Sequence, residues 1–543
     1  MHKQAKGKRG AARFLVGGAL VLFILVASFA VYTFKYGDGS SGQTSRLTRR
    51  PTGNPLSYAE VQRDEDRAPP PSRPVPTGGA QFYVAPQGKP DGDGSKGRPW
   101  DLATALAQPA RVKAGDTIWL RGGVYKGAFK SRLSGEAAQP ILLAQMTNER
   151  ATIDGSLTIE GAWATYWGFE VTNSDTDRTR ERPTGVEIMG PHTRVINLVV
   201  HDCGNGIAFW SPAVDGELYG NIIYNNGWQS SPIERGHGHA LYTQNEEGTK
   251  LIRDNIMFNQ FGWGIHAYTE EGEIKGFNFE GNVSFNNGAA TLQDEGYDNI
   301  LVGGERPAAR ITLADNYTYE TLTRSDTKPN VRLHYGATGN QDLVVRNNHF
   351  VGGSLVASIR DWQSVTMTGN FFYGLKQLLA LDLPATGIGA QAYTWNFNTY
   401  FQGTPSEAFS FGGKSLDFAA WQRATGFDGN SQALSNAKGR PEGVEVFVRR
   451  NLYEQERAHF IIYNWDLKDA VEVDAGGLLP VGAKYEVRDA QHYFGAPVQT
   501  GTYDGKPLRL ALKNLKPAQL IGGTVRLETT APEFAVLILL RKS

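Results

Sequence analysis

The central part of the chain alternates short β-prone runs with turns rich in Gly and Asn, and long amphipathic helical patterns are nearly absent. Within the runs apolar and polar residues alternate, which is typical of strands that bury one face. The first run lies at residues 81–86, and one short helix is predicted soon after it, from about Asp101 to Leu106. The pattern therefore predicts an all-β body with a helical cap near its start.

Asn recurs after a β-branched or apolar run, with separations of 24, 34, 27, 34, 32 and 22 residues by subtraction. Three of these Asn residues have a second Asn four positions later, at Asn225, Asn259 and Asn286. Asn tolerates the left-handed backbone of a sharp bend, and coils stacked at roughly 4.8 Å would let the amides bond to one another. The repeat therefore predicts a right-handed parallel β-solenoid, and hairpin signals for an alternative sandwich are few. The predicted ladder consists of Asn197, Asn221, Asn255, Asn282, Asn316, Asn348 and Asn370.

Three segments of the body resemble those of pectin-lyase-like β-helix proteins. Residues 82–106 resemble their N-terminal cap, residues 115–125 resemble their first strand, and residues 395–431 resemble their closing coils. This group includes bacterial pectate lyases, chondroitinase-B-like lyases and alginate lyases. The resemblance implies a right-handed parallel β-helix from about Phe82 to Ser431, and it is specific for fold rather than for reaction.

After Val444 the pattern changes to alternating strands, which predicts a small antiparallel β-sandwich. Such a module either accompanies a carbohydrate-active enzyme or seals the open end of the solenoid. The predicted strands are Val444–Val448, His459–Tyr463, Val471–Val473, Tyr485–Val487, Leu508–Leu512 and Phe534–Leu540.

The N-terminus carries five basic residues through Arg13, then an uncharged apolar run from Phe14 to Phe34. A run of this length predicts a transmembrane helix with the body outside the cytoplasm, in the periplasm or at the cell surface. A signal peptide cleaved near Ala30 is the alternative, and it would make the protein secreted. The predicted organisation is 1–35 basic N-terminus and anchor, 36–80 Pro/Gly-rich linker, 81–440 parallel β-helix and 441–543 β-sandwich.

The amino-acid composition limits the classes of partner that the sequence predicts. Lys plus Arg and Asp plus Glu both number 55, so the formal net charge is zero and no basic face for nucleic acid is indicated. Cys203 is the only cysteine, which excludes an internal disulfide and suggests a small buried filler. The expected partners are a polysaccharide, anionic in the leading hypothesis, and the membrane through residues 14–34.

Alternation predicts which side chains face outward on neighbouring coils. If Ile265 and Ala267 point into the core, His266 and Tyr268 point outward. The same alternation turns Arg332 and His334 outward two coils further on, and Arg360 outward three coils further on. The catalytic candidates are His266, Tyr268, Arg332, His334 and His239, and the substrate-binding candidates are Tyr242, Arg360, His237 and Asp361.

These residue types suit an acidic sugar. Arginine offers paired donors to a uronate carboxylate, and neutralising that carboxylate lowers the barrier to proton abstraction beside it. Histidine and tyrosine can transfer the proton. The leading hypothesis is therefore a polysaccharide lyase or C5-epimerase acting on a uronate polymer. The alternatives are a glycoside hydrolase using acids such as Asp294 or Asp361, and a non-catalytic binder in polymer export or surface assembly.

No cofactor is predicted. His237 and His239 lie two residues apart, as metal ligands on one strand face would, but no carboxylate cluster accompanies them and His239 aligns with the core-facing Ile207 and Ile265. Calcium-dependent lyases of the resembling group use clustered Asp residues. The absence of such a cluster in the sequence leaves calcium unsupported.

Overall fold

The computed structural model describes residues 79–292, 296–321, 328–388 and 392–542. The predicted anchor and most of the predicted linker lie outside the described residues, as do Asp294 and Glu295. Among the described residues no helix is long and apolar enough to cross a membrane.

Most of the described chain winds as a parallel β-helix, each full coil passing through three sheets. Sheet 1 pairs in parallel along its length. Its strands are Gln81–Val84, Thr117–Leu120, Ile141–Gln145, Ala164–Trp167, Arg194–Ile196, Glu217–Tyr219, Lys250–Arg253, Lys275–Glu280, Ala309–Ala314, Gln341–Arg346, Val365–Thr368 and Tyr393–Asn396.

Sheet 2 follows the Asn corner. It is joined to sheet 3 through the long strands Gly123–Ser131 and Ala151–Ile159, which run through both sheets. The other strands of sheet 2 are Glu170–Thr172, Val199–His201, Ile222–Tyr224, Ile256–Phe258, Val283–Phe285, Tyr317–Tyr319, His349–Val351, Phe371–Gly374, Thr399–Gln402 and Gln432–Leu434.

Sheet 3 closes each coil before the chain returns to sheet 1. Its last parallel strand pairs with the antiparallel strand Lys414–Leu416. The other strands of sheet 3 are Val186–Ile188, Ile207–Phe209, Leu241–Thr243, Ile265–Ala267, Ile300–Val302, Pro329–Leu333, Leu355–Arg360, Gln377–Asp382 and Phe409–Phe411.

Two α-helices and two 3₁₀ turns complete the elements of the described residues: Leu102–Leu106, Phe418–Thr425, Pro405–Glu407 and Ala490–His492. The Asp101 side chain caps the first helix by accepting from the Thr104 amide at 2.8 Å. Its apolar residues belong to the same core as the first coil, so the predicted cap is confirmed. Cys203 is fully buried in that core.

The Asn ladder runs along the corner between sheets 1 and 2. From Asn221 to Asn370 each side-chain amide donates to the Oδ1 of the next Asn at 2.8 to 3.0 Å, and the ladder continues to Asn398. The prediction is wrong for Asn197. That residue occupies the left-handed bend at φ +53°, and Leu198 takes the ladder position and donates its amide to Asn221. The second Asn residues sit at left-handed bends with φ of +57°, +54° and +46°.

Replacing Asn282 with Leu should destabilise the fold by about 1–3 kcal/mol, because the substitution leaves buried ladder groups without partners. Asn282 donates to Ile252 and Asn316 and accepts from Asn255, all buried. Urea unfolding measures the loss. The exposed Asn430→Leu is the control and should change stability by a few tenths of a kcal/mol at most. Equal effects of both variants would contradict a buried ladder.

The C-terminal part is antiparallel. One sheet has the strand order Val444–Arg450, Arg457–Asn464, Phe534–Lys542, Lys484–Asp489 and Gln499–Thr502, and a second sheet pairs Ala470–Val473 with Leu508–Ala511. The six predicted strands are all present, and Gln499–Thr502 was not predicted. Apolar side chains from both sheets form one core, as in a small sandwich.

The idea that this domain merely seals the open end of the solenoid is wrong. Its larger sheet lies along the flank of sheet 2, where Tyr463, Phe534 and Val536 share a core with Phe258 and Phe285. Aromatic and β-branched side chains on the outer face of sheet 2 provide this contact. The described strands of sheet 3 contribute nothing to that shared core.

Candidate functional site

A register-matched row crosses the outer face of sheet 3. Tyr242 pairs with His266, His266 with Leu301, and Leu301 with Arg332. We call these four residues the sheet 3 row. Two strand spacings separate His266 from Arg332, about 10 Å along the solenoid. The predicted outward parity is confirmed, because the residues flanking His266 and Arg332 in the strands are buried in the solenoid core.

The imidazole of His266 lies in an aromatic cluster. Trp263 stacks on it with ring centroids 4.7 Å apart, and Tyr268 stacks on it at 5.0 Å. Tyr242 and His239 contact the same ring at 5.1 and 4.4 Å. This packing fixes the orientation of the ring and removes most of its water.

Burial determines the charge of His266. Loss of solvent, followed by the positive charges of Arg235 and Arg332, lowers the pKa of His266 to about 3. The imidazole is therefore neutral throughout the neutral range, and its buried Nδ1 has no hydrogen-bond partner. A neutral imidazole beside cationic groups can accept a proton from a substrate.

Tyr268 stands at the edge of this cluster, half-buried and in edge contact with Tyr335 at 4.7 Å. Burial, then the neighbouring Tyr335 and the carboxylates of Glu270 and Glu305, raise the pKa of the Tyr268 hydroxyl. The phenol therefore stays protonated at neutral pH and can donate its proton.

Asp298 links Trp263, in the aromatic cluster, to Arg332, at the end of the sheet 3 row. One of its oxygens accepts from the Trp263 indole at 3.0 Å and the other accepts from Arg332 Nη2 at 3.1 Å. The side chain of Asp298 is 0 % exposed, whereas that of Arg332 is 22 % exposed. Neither Asp298 nor Trp263 is among the site residues predicted from the sequence. The spacing Trp263-x-x-His266-x-Tyr268 was the available signal for the indole.

The Asp298→Asn variant should make stability less dependent on pH. Burial raises the pKa of Asp298 from 3.8 to about 6, although Arg332 and Trp263 stabilise the charged form. Because the folded pKa is the higher one, the folded state binds the extra proton, and wild-type stability falls as pH rises from about 4 to 6. The shift of about two pKa units corresponds to on the order of 3 kcal/mol.

Urea unfolding of both proteins at pH 4, 5, 6 and 7 measures this effect. The stability of Asp298→Asn relative to wild type should rise across that window, whatever its value at pH 4. A constant difference would mean that the carboxyl does not titrate there.

The other predicted residues on sheet 3 lie further along the strand direction. His334 follows Arg332 by two positions and its Nε2 lies 2.9 Å from Ser358 Oγ, while burial lowers its pKa to about 4. Arg360 is exposed and pairs with Asp382 at 2.9 Å. Asp361 sits in the left-handed turn after that strand at φ +62°. These three residues extend the outer face but do not contact His266.

The two histidines before Tyr242 do not form a pair. The predicted alignment of His239 with Ile207 is wrong by two residues, since Leu241 pairs with both Ile207 and Ile265. His239 therefore precedes the strand, and its Nδ1 accepts from the Trp263 amide at 3.3 Å. His237 stacks instead on Trp228 at 5.2 Å.

The donor set does not fit a metal. Within the described ranges no group of three or more His, Cys, Asp or Glu side chains could hold one. The carboxylate beside the row, Asp298, is already engaged by Trp263 and Arg332. The calcium chemistry of some resembling lyases therefore has no matching ligands among these residues.

Positive groups flank the aromatic cluster. The Arg235 guanidinium lies 5.5 Å from the Trp263 ring centroid, and Lys328 Nζ lies 3.6 Å from that of Tyr297. Together with Arg332 they surround the row with three cations. The carboxylates of Glu270 and Glu305 act on Tyr268 at the same face, so both signs of charge surround the cluster.

The solenoid is similar to known β-helix proteins. Residues 82–316 match the family described as Pel9A-like, right handed beta helix region. The chain is 26 % identical to a pectate disaccharide-lyase of Dickeya chrysanthemi over 260 residues, 45 % of this chain and 32 % of that protein. It is 33 % identical to pectate lyase L of Thermoclostridium stercorarium over 133 residues, 23 % of this chain and 10 % of that protein. The chain thus spans a third or less of the curated relatives it matches.

Among solved structures, that of pectate lyase Pel9A matches with a TM-score of 0.38 and 17 % identity, covering 58 % of this chain and 80 % of that one. The family match confirms the resemblance drawn from the cap and strand motifs. The body of the chain is a right-handed parallel β-helix similar to that of pectate lyases.

Proposed function

We propose that this protein cleaves a uronate-containing polysaccharide by β-elimination on the outer face of sheet 3. The observation that carries the proposal is the placement in one row, two strands apart, of a neutral buried histidine and an arginine that a buried carboxylate holds in place. The sequence likeness to two pectate lyases supports the same reaction class.

Arg332 binds and neutralises the uronate carboxylate. Its Nη2 donates to Asp298, while its side chain is still 22 % exposed, so part of the guanidinium can reach the substrate. When the carbon beside that carboxylate loses a proton, negative charge spreads into the carboxylate oxygens. A guanidinium already in place stabilises this charge more in the transition state than in the ground state.

His266 takes the proton from C5 of the uronate. The electron pair of that C–H bond forms the C4–C5 double bond, and the bond from C4 to the glycosidic oxygen breaks. Tyr268, whose hydroxyl stays protonated, donates a proton to that oxygen. An anionic carboxylate beside His266 raises the basicity of its imidazole once substrate is bound.

A glycoside hydrolase needs two carboxyl groups facing one sugar, about 5 to 9.5 Å apart. Among the described residues near the row, Asp298 is buried and bonded at both oxygens, and Glu270 and Glu305 are exposed. Asp361 lies away from the row. The described acids therefore support hydrolysis less well than the histidine and arginine support elimination.

Product analysis tests the proposal. Polygalacturonate and alginate incubated with the protein should yield oligosaccharides that absorb in the near ultraviolet, because elimination conjugates the new double bond with the carboxylate. New reducing ends without this absorbance would identify a hydrolase. Exchange of the C5 proton for deuterium in heavy water without chain cleavage would identify a C5-epimerase. Binding without any of these changes would identify a non-catalytic polysaccharide-binding protein.

The body is proposed to lie outside the cytoplasm, on the membrane side opposite the basic N-terminus. The argument is the charge asymmetry around the apolar run at residues 14–34. A reporter active only outside the cytoplasm, fused after Lys35, should be active. A reporter active only inside, fused at the same position, is the control, and its activity would overturn this localisation.

A further inference from the structure

A cavity lies between the corner of sheets 1 and 2 in the early coils and the C-terminal domain. It has a volume of about 830 Å³ and is bounded by corner segments of the early coils, by one edge of the C-terminal larger sheet, and by Tyr493 and Phe494. None of its lining residues belongs to sheet 3, so it is distinct from the row.

The lining is polar and balanced, with five carboxylates and five cations. Four of the cations have a carboxylate oxygen within 3.0 Å. These pairs are Arg150 with Glu170, Arg488 with Glu486, Arg541 with Glu456, and Lys542 with Glu486. A balanced set of donors and acceptors suits a ligand rich in hydroxyl groups better than an apolar or a highly charged one.

Arg457 is the exception. Its side chain is 4 % exposed, and the nearest acidic oxygen, on Glu454, is 4.0 Å away. Its Nε and Nη2 are buried without a hydrogen-bond partner. Glu454 is itself engaged, because it accepts from the Trp167 indole at 2.6 Å. A buried guanidinium without a carboxylate partner is unfavourable unless a ligand supplies the missing acceptor.

Aromatic side chains lie beside this arginine. The Arg457 guanidinium stands 5.7 Å from the Tyr493 ring centroid, and the half-buried Phe494, next along the chain, already carries the Arg150 guanidinium 3.5 Å from its ring centroid. Aromatic surface next to an unsatisfied planar cation matches a sugar ring that carries a carboxylate.

We infer that this cavity is a second polysaccharide-binding site, in which Arg457 binds the carboxylate of a uronate residue. That the ligand is a uronate rests on the proposed function. That the ligand is anionic rests on the unpaired guanidinium of Arg457. The site holds the polymer between the solenoid and the C-terminal domain while another stretch of it occupies sheet 3.

Calorimetric titration with trigalacturonate tests the inference in an Arg332→Lys/His266→Gln background, which prevents turnover and weakens binding at the row. That protein should still bind trigalacturonate. Adding Arg457→Met should weaken this binding at least tenfold, and Arg457→Lys should weaken it less, because lysine keeps the charge but not the planar pair of donors. Galactotriose, which lacks carboxylates, should bind no more than weakly.

Thermal unfolding shows whether the Arg457→Met variant is folded. Because Arg457→Met removes an unpaired buried charge, its melting temperature should equal or exceed that of the background protein, and trigalacturonate should no longer raise it. Undiminished binding by Arg457→Met would overturn the inference, and so would equal protection by inorganic phosphate or by galactotriose. If binding depends on Arg457 while the wild-type protein yields no elimination product from any uronate polymer, the proposed function is overturned but this site is not.

Discussion

Replacing Arg332 with alanine should abolish most of the polymer-cleaving activity, lowering kcat/KM by about 10²–10³-fold. The guanidinium provides the charge that stabilises the developing carbanion, and water that enters its place is a much weaker partner. Arg332→Lys should recover part of the loss, because an ammonium keeps the charge without the forked geometry. Initial rates of near-ultraviolet absorbance on polygalacturonate or on whichever uronate polymer is cleaved measure both effects.

Folding must be separated from chemistry in this variant, because Asp298 loses its cationic partner. A buried carboxylate left alone is costly, so the double variant Asp298→Asn/Arg332→Ala removes both charges and should fold better than Arg332→Ala. The exposed Arg346 on sheet 1 is the matched control, and Arg346→Ala should keep wild-type rates. Activity in the double variant close to wild type would show that Arg332 does not act on the substrate.

Replacing His266 with glutamine should lower the rate by about 10²–10⁴-fold, the usual contribution of a general base. Glutamine approximates the volume of imidazole and keeps the aromatic packing by Trp263 and Tyr268, so binding should change less than kcat. His492→Ala, at an exposed position of the C-terminal domain, is the control and should leave the rate unchanged.

The pH dependence of kcat/KM is a second test of the role of His266 as the base. Because burial lowers its pKa to about 3 in the free enzyme, the acidic limb of the profile should lie well below the ordinary imidazole value of 6.5. An acidic limb at 6.5 that survives in His266→Gln would assign the titrating base to another residue.

Local sequence signals predicted the ladder and the outward parity, because both depend on alternation and on the left-handed tolerance of Asn. Asn197 lies outside the ladder, and Leu198 fills the ladder position. The error arose because an Asn in the sequence can occupy either the left-handed bend or the residue after it. The two-residue error at His239 has a similar origin. Residues 229–236 form an inserted loop between Trp228 and His237, and its length hides the true register.

Contacts between distant segments could not be predicted. Asp298 lies 34 residues before Arg332 and 35 after Trp263, and only the stacking of coils brings the three together. The C-terminal domain docks through contacts such as the Arg449–Asp254 ion pair, 195 residues apart in sequence. Arg457 appears in sequence as an ordinary strand residue, and only the folded structure reveals that two of its buried nitrogens lack a hydrogen-bond partner.

The central claim is that sheet 3 carries out elimination, and the mass of the products tests it most directly. Mass spectrometry of oligosaccharides released from a defined uronate polymer should show one end lighter by a water molecule than a hydrolysis product. The same species should be nearly absent with His266→Gln and unchanged with His492→Ala. Products of full hydrolytic mass, or unsaturated products formed equally by His266→Gln, would contradict the claim.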